Sequence, residues 1–147
     1  MKRIARSAIV ECSAGKLYAL VENIEAYPEF LPWCISTRVV ERSPGRTRAT
    51  LHIGMKGVTQ SMTTDNRTRP GEAIDMKLLD GPFRHFSAAW RFAPLGERAA
   101  KIEFEMTWEF GAVAPARLLE PLFEHIANTM VDAFTRRARD LYGTNPG

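Results

Sequence analysis

The chain has 147 residues, 45% of them hydrophobic and 25% charged, a balance that fits one ordinary globular domain able to enclose a core without disulfides or a structural metal. Two cysteines, Cys12 and Cys34, are too few for a secreted disulfide framework, and His52, His85 and His125 show none of the common zinc spacings, so metal chemistry is not expected. The net charge of +3 is uneven: residues 1–70 hold 11 Lys/Arg against 6 Asp/Glu and residues 71–147 hold 9 against 11, a basic excess too mild for a dedicated nucleic-acid binder.

Met1-Lys2-Arg3 opens the chain without a following apolar stretch, and the longest apolar run is Leu17–Val21, so neither a signal peptide nor a membrane span is expected. Arg3–Val10 reads as a first strand. Ser13 stands at an N-cap position ahead of a short helix with Leu17, Leu20, Val21 and Ile24 on one face. In Tyr27–Cys34, YPEFLPWC, Pro28 and Pro32 forbid a continuous element, and the segment reads as a one-turn helix or tight bend that presses aromatics onto something.

From Ile35 onward, turn signals at Ser43-Pro44-Gly45, Lys56-Gly57, Arg69-Pro70-Gly71, Asp80-Gly81-Pro82 and Pro94-Leu95-Gly96 divide six strands. Ala49, Leu51, Ile53 and Met55 alternate with polar neighbours, as do Ile74, Met76 and Leu78. The clearest alternation sets Ile102, Phe104, Met106, Trp108 and Phe110 against Lys101, Glu103, Glu105, Thr107 and Glu109, the pattern of an antiparallel sheet with one wet face. A long helix is expected over Pro115–Tyr142, capped by Gly143 and kinked near Arg117–Pro121. Its apolar stripe runs through Leu119, Leu122, Phe123, Ile126, Met130, Ala133 and Phe134. Seven strands, two short helices and one long amphipathic helix predict an α+β domain in which a curled sheet encloses the helix and leaves a space rich in Met, Phe and Trp between them.

YPEFLPWC at 27–34, LLDGPF at 78–83, WRFAPL at 90–95 and IANTMVDAFTRRA at 126–138 resemble, in that order, the coenzyme Q-binding START-like family of the polyketide cyclase/dehydrase-like superfamily. The resemblance spans essentially the whole chain. It implies a helix-grip fold, a curved sheet of six to seven strands around the C-terminal helix, and a bound hydrophobic molecule, ubiquinone or a similar prenyl or acyl lipid, carried or chaperoned in support of respiration. The family also contains the bacterial ribosome association toxin, so the alternative it implies is a regulator that binds the large ribosomal subunit and blocks subunit joining. Either function is expected in the cytoplasm, the first with peripheral contact to the anionic inner face of a membrane.

Tyr27, Phe30, Leu31 and Trp33 are candidates for a lid over the cavity mouth, or else for packing that locks the short helices to the sheet. Phe83, Phe86, Trp90 and Phe92 are candidate wall residues from one strand, Phe104, Met106 and Trp108 from the next. Leu122, Phe123, Ile126, Met130 and Phe134 are the candidates from the long helix; about half of this set is expected to be plain core. Arg137 projects onto the apolar stripe, and with Arg136 and Arg139 it is a candidate to meet a polar head group or a docking surface. Together with Lys2, Arg3, Arg38, Arg42, Arg46, Arg48, Arg67 and Arg69 these arginines either form one basic surface for anionic lipid or ribosomal RNA or are dispersed over a solvated face. No Gly-x-Ser-x-Gly, phosphate loop or dinucleotide fingerprint is present, and no catalytic residue is expected. An enzyme acting in the cavity would need an inward polar group, for which Asn66 and His85 are the candidates. Cys12 and Cys34 are expected to be buried and inert.

Overall fold

The computed structural model describes residues 1–112 and 114–143. The chain forms β1 (Lys2–Val10), α1 (Ala14–Glu22), a 3-10 helix (Ile24–Glu29), β2 (Cys34–Ser43), β3 (Arg46–Met55), β4 (Val58–Arg69), β5 (Ala73–Asp80), β6 (Phe83–Pro94), β7 (Ala100–Phe110) and α2 (Ala116–Tyr142). This is the expected element order, and all five turn signals fall between strands. At the β3–β4 hairpin both Lys56 and Gly57 take positive φ, 52° and 83°, the mirror-image turn whose twist matches the flanking strands.

The seven strands make one antiparallel sheet in the order β1-β7-β6-β5-β4-β3-β2. Strand β1 joins β7 rather than β2, because α1 and the 3-10 helix carry the chain from one edge of the sheet to the other. Register shifts at Cys34/Ser36 and Val39/Glu41 in β2, at Leu78/Asp80 in β5 and at Phe83/His85 in β6 bend these strands. The sheet curls around α2 as a helix-grip fold.

Ser13 accepts a hydrogen bond from the Lys16 amide at 3.2 Å, so the expected N-cap of α1 is in place. Helix α2 continues through Pro121, which sits exposed in its second turn, and ends at Gly143, whose amide donates to the Arg139 carbonyl at 2.8 Å. Its buried stripe is Leu119, Leu122, Phe123, Ile126, Ala127, Val131, Phe134 and Ala138. Compared with the sequence projection it is turned toward the small residues, and Met130 and Ala133 are only half-buried. The helix lies against β1 and β7, and Ala127 and Ala138 are the small members of its buried stripe.

Candidate functional site

The bend at 27–34 lies against the C-terminal half of α2. The Tyr27 ring meets Phe30 at 6.2 Å and Phe134 at 5.5 Å, and Phe30 meets Phe134 at 5.1 Å, all edge to face. Tyr27 is buried and its hydroxyl donates to the Val21 carbonyl; burial raises its pKa far above the ordinary phenol range. Arg137 closes this arrangement from outside: Nη2 donates to Glu29 Oε1 at 3.3 Å, and the guanidinium lies 4.9 Å from the centre of the Phe30 ring. Its placement on the apolar stripe is therefore explained by a clasp on the bend. Arg136 pairs with Asp132 at 2.8 Å on the exposed face, and Arg139 borders an external hollow with Ile9, Glu11 and Thr135. None of the three arginines lines the inner space.

That inner space is small. A hollow of about 40 Å³ lies between sheet and helix, walled by Tyr27, Trp33, Phe86, Trp90, Phe104, Met106, Phe123, Ile126 and Met130 among the sequence candidates. Leu51, Ile53, Met62, Met76 and Ala88 complete the wall. Phe30, Leu31, Phe83, Phe92, Trp108, Leu122 and Phe134 do not line it. Phe83 stacks on Phe110 at 5.1 Å and meets Phe123 at 4.9 Å; Phe92 lies between Trp90 and Tyr18. Trp108 is 1% exposed, and its indole N–H has no hydrogen-bond partner among the described residues. Pockets for drug-sized ligands are roughly 300–1,000 Å³, so the aromatic side chains fill most of the space they enclose.

A second hollow of about 20 Å³, sharing Tyr27, Leu51, Met76 and Trp90 with the first, ends in polar groups: Glu22, Thr64 and Asn66. They lie beneath the middle of the sheet because β4 presents Met62, Thr64 and Asn66 inward, and Asn66 pairs in register with Thr47 of β3, itself buried. The Thr47 hydroxyl donates to Glu22 Oε1 at 2.9 Å; Glu22 Oε2 and Asn66 Oδ1 have no partner among the described residues. Arg42 holds the outer side of this cluster, donating to Glu22 Oε1 at 3.1 Å and to Glu25 at 2.7 and 3.1 Å, which lowers the Glu25 pKa. Asn66 thus faces inward as sequence register allowed, whereas His85 is exposed at the bulge in β6. Glu22 and Thr64 carried no sequence signal beyond a polar residue next to apolar ones. Cys12 and Cys34 are free and buried, and burial pushes the Cys34 thiol up to about 11. Among the described residues no group of His, Cys, Asp and Glu could hold a metal.

The basic residues of the first half separate. Lys2 pairs with Glu124 at 2.8 Å, Arg3 with Glu105 at 2.8 Å, and Arg42 faces α1. On the outer face of β3 and β4, Arg46 makes two hydrogen bonds to Asp65, at 2.9 and 3.0 Å; Arg48 and Arg67 approach the same carboxylate at 3.9 and 4.0 Å.

Residues 10–135 match the family model described as polyketide cyclase/dehydrase and lipid transport. The chain belongs to this family. One relative, the ribosome association toxin RatA of Pseudomonas aeruginosa, is 43% identical, with 95% of this chain and 97% of the relative covered. The mitochondrial coenzyme Q-binding protein COQ10 homolog B of Xenopus laevis is 29% identical, with 97% of this chain and 61% of the relative covered. Among solved structures, a START superfamily protein of Mycobacterium smegmatis superposes with a TM-score of 0.79 at 21% identity, covering 95% and 98% of the two chains, a likeness of fold. The family description names cyclase/dehydrase and lipid transport, and these relatives are named for toxin action and for coenzyme Q binding; the fold alone does not choose among such functions.

Proposed function

We propose that this chain acts on ribosome association, as a cytoplasmic factor that binds the large ribosomal subunit and opposes subunit joining. The observation that carries the reading is the filled interior: hollows of about 40 and 20 Å³ leave no room for a prenylated ligand, which favours the molecule's surface as its working part. The full-length similarity to a protein named as a ribosome association toxin supports the same choice. Sucrose-gradient profiles test it. Overproduction should deplete joined ribosomes and raise free subunits, with the protein co-sedimenting with the large one; unchanged profiles and no co-sedimentation would overturn it.

A second reading, binding of ubiquinone or another hydrophobic molecule, is favoured by the polar end of the inner space, where Asn66 Oδ1 and Glu22 Oε2 are buried without partners among the described residues. It requires methionine-rich walls to open, since Met62, Met76, Met106 and Met130 all border the hollow and methionine repacks readily. Gently purified protein that carries no quinone or lipid by native mass spectrometry, and that takes up none after delipidation, would remove this reading. Turnover of a substrate inside the domain would need the same opening, and we assign no enzymatic activity. No helix among the described residues is long and apolar enough to cross a membrane.

A further inference from the structure

The two halves of the outer sheet face differ in how their charges are used. On β5, β6, β7 and β1 the cations are matched, Lys77 excepted: Arg91 pairs with Asp75 at 2.8 Å, Lys101 with Glu103 at 3.1 Å and Arg3 with Glu105 at 2.8 Å. On the outer face of β2, β3 and β4 arginine outnumbers carboxylate. Arg46 and Arg48 alternate with the buried Thr47 and Ala49, Arg67 lies directly opposite Arg46, Arg69 follows two residues later on the same face, and Arg38 lies opposite Thr50. Within β2–β4 only Glu41 and Asp65 oppose these five arginines; Asp75 of β5 lies in register with Arg67 but is held by Arg91, and Arg38 and Arg69 have no carboxylate within 4.0 Å among the described residues.

We propose that the outer face of β2–β4 is an RNA-docking surface, on which Arg38, Arg46, Arg48, Arg67 and Arg69 meet the phosphodiester backbone; the proposal rests on the ribosome-association reading and names the face that would serve it. Charge complementarity selects the partner. The cations are all arginine, whose planar fork matches phosphate oxygens. Between them stand hydroxyls suited to sugar and phosphate contacts: Thr50 and Thr63, bonded to each other at 2.8 Å, and Ser61, bonded to His52 at 2.8 Å. The paired strands set the guanidinium stems about 5 Å apart across strands and about 7 Å apart along them, so the array is held before the partner arrives. Asp65 serves as its internal tether: it fixes the Arg46 fork by two hydrogen bonds, while Arg48 and Arg67 stay too far from it for hydrogen bonding; the Arg48 Nε is itself buried, 3.7 Å from Glu41. The face carries no exposed aromatic side chain; its exposed apolar residues, Ile35 and Val40 of β2, are single β-branched side chains and not the Trp, Phe and Leu face that lies in a lipid interface.

The test uses the double variant R38Q/R69Q, whose side chains are exposed and unpaired, and the charge-matched R98Q/R117Q, which removes two exposed arginines elsewhere. Binding is measured to purified large ribosomal subunits by co-sedimentation, to protein-free ribosomal RNA by filter retention across a salt series, and to vesicles of phosphatidylglycerol and phosphatidylcholine. R38Q/R69Q is expected to weaken RNA and subunit binding about tenfold or more and to lower the slope of log K against log salt by about 2, while R98Q/R117Q stays within about twofold. Equal binding by wild type and R38Q/R69Q, an equal loss in both variants, or arginine-dependent binding to vesicles but not to RNA would each overturn the assignment. If wild-type protein binds neither subunit, the ribosome reading fails by itself. The docking face is then decided on protein-free RNA, where a loss confined to R38Q/R69Q supports it and its absence overturns it.

Discussion

The sheet has two unlike halves. Under β6, β7 and β1 the inner face is a conventional core: Phe86, Trp90, Phe104, Met106 and Trp108 are buried, and α2 lies along β1 and β7. Under β3 and β4 the inner face includes Thr47, Thr64 and Asn66, each 1–3% exposed, with Glu22 facing them from α1. Outside, the order reverses in a telling way, with matched charges over the apolar half and surplus arginine over the polar half. One half carries the stability that hydrophobic burial supplies. The other retains buried polar groups that cost stability and an outer charge excess that opposes folding slightly, which is where selection for something other than stability is expected to leave its mark.

The largest effect that would test this division is in the apolar half. Phe134 is 0% exposed and touches Tyr27, Phe30 and Trp90 at once. Phe134→Ala should lower unfolding free energy by about 3–5 kcal/mol in urea titration; a loss below about 1 kcal/mol would show that the bend at 27–34 is not held by this cluster.

In the polar half the sign should reverse. Asn66→Leu removes a buried amide whose carbonyl oxygen is unpartnered among the described residues, and it should leave stability unchanged or raise it by about 1 kcal/mol, since an unpaired buried polar group costs about 1–3 kcal/mol. A clear destabilisation would mean that Asn66 holds a buried water or ligand, and the second functional reading would gain.

These halves also differ in how far sequence exposes them. The alternation at Ile102–Phe110 and the apolar positions of α2 gave strand and helix correctly, and most of the inward face, because in that half burial and hydrophobicity largely coincide; Phe110, Met130 and Ala133 are only half-buried. The candidate walls from β6, β7 and α2 divided between hollow and plain core, with Phe104 and Met106 lining the hollow and Trp108 not, because projection tells which way a side chain points but not whether a neighbour fills the space before it. Strand β4 hid its inner face: Met62, Thr64 and Asn66 alternate with Thr63 and Asp65, so polarity does not change with the period of 2. Arg137 misled for the opposite reason. Its place on an apolar stripe reflects a stacked ring and Glu29 from a segment 108 residues earlier, a contact no local pattern encodes.

That contact supplies a smaller test. Arg137 is 22% exposed and Glu29 64%, so the ion pair itself is weak and the ring contact adds a comparable amount. Arg137→Ala should cost about 1 kcal/mol and increase hydrogen exchange in residues 27–34 more than elsewhere; uniform exchange would show that the bend is secured by Tyr27 and Phe134 alone.

The smallest expected effect concerns Asp65 at the centre of the arginine rows, and it sharpens the comparison by pH. The Arg46 guanidinium, hydrogen-bonded to it, holds the Asp65 carboxyl below its ordinary value, with desolvation opposing. A carboxylate depressed in the folded state stabilises the fold above its unfolded pKa, near 3.9, and loses that contribution as pH falls through the folded value. Wild-type stability should therefore exceed that of Asp65→Asn at pH 6, and the gap should close below about pH 4. At pH 6–7, removing one negative charge adds to the arginine surplus, so Asp65→Asn should strengthen RNA binding or leave it unchanged, although it frees the Arg46 fork. A large loss of RNA binding would instead show that the tether, rather than the charge excess, makes the face competent, and would shift weight from electrostatic attraction to the fixed geometry of the β3–β4 pair.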